Sequence, residues 1–147
     1  MYDLIAGFYE GMLYDVDYYV IYETLYETGA YGALAAFAAG PALALFTAFY
    51  FLWTYPYGKF WHWAFCLGLS LLITMIGSYV WVYNELFYSY NNELIALLND
   101  PETGYDYYAS SLPWNYSFIN GAIGALVAFI FSLGIKRFSK IQMHLPF

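Results

Sequence analysis

Few side chains in this sequence are of the kind that performs chemistry, and their spacing limits what they can do. Asp100, Glu102 and Asp106 bring three carboxylates into one short stretch. Hard oxygen ligands of this type suit Ca²⁺, but the twelve-residue loop and its closing bidentate glutamate are missing. The expected state of these acids is a solvated turn, and no metal is assigned. The two histidines are His62, between Trp61 and Trp63, and His144, near the C-terminus. A haem held between helices wants a ligand inside the membrane from each of two helices, and neither histidine is so placed, so no cofactor is assigned. Asn115-Tyr116-Ser117 matches the glycosylation sequon, although it abuts an apolar run. Cys66 is the sole cysteine, which excludes an intrachain disulfide. With no nucleophile–base pair, phosphate loop or metal cluster visible, catalytic residues are not expected and the chain is not expected to be an enzyme.

The elements that hold these groups follow from composition. Of 147 residues, 63% are hydrophobic, 25% aromatic and only 10% charged. Soluble domains carry nearer ~25% charge, and fifteen charged side chains cannot coat a globule of this size. A net charge of −7 argues against a nucleic-acid partner. An all-α integral membrane protein is the class that remains.

The charges are absent from three runs: residues 28–58, 60–84 and 107–135. A hydrocarbon core of roughly 30 Å takes about 20 helical residues to cross, so each run serves one crossing and none serves two. The spans are expected at residues 30–53, 60–83 and 118–134, within a single membrane domain. The link 54–59 contains Pro56 and Gly58, two turn residues, and makes the first two spans an antiparallel α-hairpin. Helices are favoured over strands because hydrocarbon offers no partner for an open backbone. Trp53, Trp61, Trp63, Trp81 and Trp114 are expected as an interface belt, where a flat apolar ring meets a wet N–H.

All four bases (Lys59, Lys136, Arg137 and Lys140) fall on one side of these spans, and all eleven acids on the other. The excess of bases marks the inner side, which predicts N-out and C-in, with residues 135–147 as an inner tail. No cleavable signal peptide is expected, since the N-terminus has no basic region. Residues 1–28 place Asp3, Glu10 and Asp17 on one stripe, with Leu4, Ile5, Phe8, Met12, Tyr19 and Val20 on another. One or two short amphipathic helices along the outer surface are expected there. Within residues 84–117, Leu86, Tyr90, Leu94 and Leu97 read as a helical continuation of the second span, and 105–115 as an aromatic loop.

No Asp, Glu, Lys or Arg lies inside a span; Asn120, Thr47, Thr74 and Ser70 are the strongest polar groups there. Ion-coupled transport relies on intramembrane charge, so coupling is disfavoured. Packing is encoded instead. Gly32, Ala36, Gly40 and Ala44 recur every four residues, and Gly121 and Ala125 repeat the device. Small residues let another backbone approach closely, and Gly40-Pro41 is expected to kink the first span. The four bases can hold anionic lipid heads, cardiolipin included. These features point to a non-catalytic accessory subunit of a large inner-membrane complex. The mitochondrial inner membrane and its respiratory chain are the preferred instance, with a bacterial inner membrane as the alternative location. Other membrane subunits and anionic lipid are the expected partners. The competing reading is a homo-oligomeric channel or membrane-anchoring ring, for example of a secretion machine.

Overall fold

The computed structural model describes residues 2–52 and 60–139, and every regular element in them is helical. Helix α1 spans Tyr2–Leu13 and is followed by a single 3₁₀ turn, Val16–Tyr18. Then come α2 (Tyr19–Glu27), α3 (Ala30–Phe51), α4 (Phe60–Phe87), α5 (Asn92–Leu98) and α6 (Tyr105–Lys136). Three of these, α3, α4 and α6, are long and apolar enough to cross a membrane. The link between α3 and α4, with Trp53 and Lys59, lies outside the described residues, as do Lys140 and His144.

Local chemistry sets the boundaries. Gly29 and Gly104 immediately precede α3 and α6 with φ of 76° and 73°, a left-handed conformation that costs glycine little. Asp15 Oδ1 accepts from the Asp17 amide at 3.1 Å and starts the 3₁₀ turn. Asn91 Oδ1 accepts from the amides of Glu93 and Leu94 and caps α5. That cap explains why α4 does not run on to Leu98: it ends at Phe87, a short link follows, and Asn91 starts a separate helix. Leu86 and Leu94 keep the inward positions of the expected series, but Tyr90 lies in the link and is 100% exposed.

The third span differs more. Residues 105–115 are not a loop; α6 is one 32-residue helix from Tyr105, with Pro113 inside it. Its buried side, Tyr105, Ala109, Leu112 and Tyr116, already has the three-to-four spacing of a helix. Helix α3 likewise continues through Pro41. A proline cannot bond the carbonyl four residues earlier, here that of Phe37. Thr74 Oγ1 on α4 donates to that oxygen at 2.8 Å, so a neighbouring helix supplies what the proline withholds.

Over their middle turns α4 and α6 pack inside-out. There the inward positions of α4 are Cys66, Ser70, Thr74 and Ser78, between Trp63 at one end and Val82 and Leu86 at the other, and those of α6 include Gly121, Gly124, Ala128 and Ser132. Large apolar side chains such as Phe65, Leu72, Ile76, Leu126 and Ile130 face outward. In water that arrangement wastes hydrophobic burial. In hydrocarbon, close backbone approach drives association instead. Phe46 meets Trp63 at 6.1 Å, and Trp63 meets Phe129 at 6.3 Å between ring centroids. At the other end Ser117 Oγ on α6 donates to Met75 O on α4. Hence α4 is antiparallel to both α3 and α6. Ser139 Oγ closes the far end on Tyr50 O at 2.6 Å.

A pair of glycine substitutions separates inward from outward faces. A Cβ on Gly77 would lie 2.6 Å from the Phe37 ring, whereas one on Gly40 meets nothing within 4 Å. Gly77→Ala is expected to destabilise the detergent-solubilised chain by about 1–3 kcal/mol through overpacking. Gly40→Ala is expected to leave it unchanged or raise stability by up to ~1 kcal/mol. Thermal or denaturant unfolding of the two variants checks both.

Candidate functional site

The most organised polar feature is a buried node on Asn120, where α1, α3, α4 and α6 meet. Asn120 Oδ1 accepts from the Tyr9 hydroxyl at 2.6 Å. Its Nδ2 donates to Leu34 O at 2.9 Å and to Ser78 Oγ at 2.6 Å. Ser78 Oγ then donates to Thr74 O at 2.7 Å. Both amide hydrogens, the amide oxygen and both hydroxyls thus have partners. Asn120 and Ser78 are fully buried, where an orphan would cost about 1–3 kcal/mol.

Around the node stands a cage of tyrosine rings. Tyr9 stacks on Tyr31 at 6.0 Å and 16° and lies 5.9 Å from Tyr116. Burial pushes the Tyr9 hydroxyl up to about 12, so at neutral pH it serves as a fixed donor. A second group fastens the α1–α2 connection to α6. The hydroxyls of Tyr22 and Tyr108 are 2.5 Å apart, and both reach Leu13 O. With two hydrogens for three contacts, one hydroxyl donates to the carbonyl and the other to its neighbour. Tyr18 stacks on Tyr108 at 4.0 Å and 5°, and Tyr105 OH donates to Asp17 O at 3.1 Å. Burial, then the Tyr108 hydroxyl, raises the Tyr22 hydroxyl well above the usual phenol range. Asp3 Oδ1 accepts from Tyr26 OH at 2.5 Å, which holds that exposed phenol up as well.

Asp100 Oδ1 accepts from the Glu102 amide at 3.0 Å, closing a turn. Among the described residues no group of three or more His, Cys, Asp or Glu could hold a metal ion. The sequon Asn115-Tyr116-Ser117 is helical, with Tyr116 and Ser117 buried.

The packing residues divide. Gly121 is buried, and a Cβ there would meet Met75 at 2.6 Å. Ala125 is half-buried on the same helix, and a Cβ on Gly32 would lie 3.7 Å from the Tyr2 ring. Ala36, Gly40 and Ala44 are exposed along the outside of α3. Among the tryptophans, Trp61 is 77% exposed and Trp81 39%, and Trp114 is also exposed. Trp63 is 7% exposed and packs between Phe46 and Phe60. It stands two residues, about 200° around the helix, from Trp61, which turns it toward the bundle. Lys136 and Arg137 end α6 at the Trp61 end of the bundle. Of the tyrosines outside the middle of the bundle, Tyr9, Tyr22, Tyr31, Tyr105 and Tyr116 are buried.

Tyr9, Ser78, Gly77 and Gly124 were not legible as site residues. The four-residue recurrence of Cys66, Ser70, Thr74 and Ser78 is the signal that identifies the inward face of α4. Compared with protein-family models, with curated proteins and with solved structures, the chain matches none. The fold and the node define the class: an all-helical protein with three helices able to span a membrane.

Two measurements test the node. A Tyr9→Phe and Asn120→Ala double-mutant cycle is expected to give a coupling of about 0.6–1.7 kcal/mol. The folded chain raises the Tyr9 pKa from 10.0 to about 12, so its stabilising share is complete below pH 10 and is lost as pH climbs through 12. Proteolytic release of α1 is expected over that window in the wild type and to be blunted in Tyr9→Phe.

Proposed function

We propose that this chain is a non-catalytic, helix-buttressing subunit of a larger inner-membrane assembly, N-out and C-in. The observation that carries the reading is the outward stripe of Ala36, Gly40 and Ala44 on α3. The chain's own helices leave it uncovered, and no side chain lies within 4 Å of a Cβ built on Gly40. Small residues facing lipid give up contact with it, and a partner helix restores that contact by close approach.

The membrane setting has its own support. Trp61 and Trp81 are both exposed and twenty residues apart on α4, about 30 Å of helix, which is the hydrocarbon thickness. Trp114 sits 4.7 Å from Tyr79, near the Trp81 end. Lys136 and Arg137 lie at the Trp61 end; Glu85 and Asp106 lie at the other. The excess of bases favours that end as the inner one, where Lys136 and Arg137 are placed to meet anionic lipid heads. An energy-transducing assembly, with the mitochondrial respiratory chain as preferred instance, is the setting that suits packing chemistry without intramembrane charge.

Gentle-detergent extraction followed by native mass spectrometry tests this. The chain is expected in a particle with other subunits, far heavier than 17.0 kDa. Gly40→Leu and Ala44→Phe are expected to fold with wild-type stability and to drop out of that particle at least tenfold. A stable lone monomer, or variants that co-purify as well as wild type, would overturn the reading. A particle built only from copies of this chain would replace it with the ring or channel.

A further inference from the structure

A polar cavity of about 540 Å³ opens where the end of α2, the α4–α5 link and the start of α5 meet. That is the size of a small-molecule site. Thr24, Glu27, Ser89, Tyr90, Asn91 and Glu93 line it. Two of these are spent on structure. Thr24 Oγ1 donates to Val20 O and accepts from Asn91 Nδ2, while Asn91 Oδ1 accepts the amides that start α5. The others have bonding capacity left. The carboxylates of Glu27 and Glu93 have no hydrogen-bond or ion-pair partner among the described residues. Ser89 is 9% exposed; its Oγ accepts from the Asn91 amide at 3.0 Å, and its own hydrogen has no acceptor among them. Tyr90 holds a fully exposed ring on the same wall. Helix α4 ends six residues beyond Trp81, about 9 Å, so the cavity lies outside the span and opens to water.

We infer that this cavity binds an amino sugar from the outer aqueous phase. The unspent groups select that chemistry. Four carboxylate oxygens accept and cannot donate, so they call for ammonium or hydroxyl hydrogens. Helices α2 and α4 both end beside the cavity, and a helix C-terminus adds partial negative charge. The described bases, Lys136 and Arg137, lie at the opposite end of the bundle. A cleft lined by one sign of charge concentrates the other, which favours a cation over a neutral sugar. Among the described residues no three His, Cys, Asp or Glu group to hold a metal ion, so the cation is organic. The nearly buried Ser89 hydrogen needs an oxygen acceptor, which a simple amine lacks and a sugar hydroxyl supplies. The Tyr90 ring offers a flat face to the C–H side of a pyranose and to its ammonium.

Binding does not depend on the assembly proposed above, since a lone chain carries the same cavity; only the side of entry rests on that reading. The full chain in phosphatidylcholine nanodiscs is titrated with glucosamine at mildly acidic pH, where its amine is charged, and binding is read by ligand-observed NMR. One saturable site is expected, with glucose and putrescine each at least fivefold weaker. Glu27→Gln and Glu93→Gln, at exposed positions, are each expected to weaken binding at least fivefold with unchanged melting, through loss of a charge-assisted bond. Ser89→Ala is expected to weaken glucosamine about threefold and to leave putrescine unchanged. Asp100→Asn with Glu102→Gln removes two charges from the same end but outside the cavity lining, and is expected to leave binding within twofold. Non-saturable binding, undiminished binding in both glutamate variants, or an equal loss in the Asp100 and Glu102 variant would overturn the inference. So would glucose or putrescine binding as tightly as glucosamine in the wild type, a comparison that needs no variant to fold.

Discussion

The constraint that shapes the Asn120 node is that an amide out of reach of water is costly unless its partners lie within the protein. Asn120 meets it with no donor or acceptor left over, and in doing so ties four helices together. Helix packing in hydrocarbon gains little from burying apolar surface, because lipid is as apolar as leucine. A central amide with three directional bonds therefore does what a greasy core does in a soluble domain: it selects one register. Asn120 reaches Leu34 O only if α3 is at the right height, and Ser78 only if α4 is.

The two halves of the molecule use different chemistry for the same end. Toward Trp61 the contacts are aromatic and apolar: Phe46, Phe49, Trp63 and Ala128 form one cluster. Toward α1 and α2 the cluster is larger and rich in tyrosine. A tyrosine offers a ring for packing and a hydroxyl for a backbone carbonyl. That combination suits the border where apolar surroundings give way to water. Tyr22, Tyr105 and Tyr108 each reach a carbonyl in the α1–α2 connection. They fix a segment whose own helices are too short to stand alone.

The three long helices were legible from the gaps between charges, since hydrocarbon tolerates no substitute for them. The start of α6 was not. Pro113 and the dense tyrosines of 105–116 suggest a loop until the period of Tyr105, Ala109, Leu112 and Tyr116 is followed. Pro113, the ninth residue of α6, forgoes the bond to Ala109 O, yet the inward positions stay in step across it. The division of the small residues was equally hidden. Gly121 and Gly40 look alike in sequence, yet Gly121 admits Met75 and Gly40 faces outward. Which side of a helix meets its own chain depends on the direction of every other helix. No single run of residues encodes that.

The bond from Thr74 to the carbonyl that Pro41 leaves open also bears on how the helices associate. Helix α3 by itself carries a bare carbonyl about a third of the way along, and its remedy lies 37 residues further along the chain. In lipid by itself, α3 would carry that exposed oxygen until α4 packed against it. The two helices therefore complete one another, and the hydrogen bond makes α3 and α4 a single unit of packing.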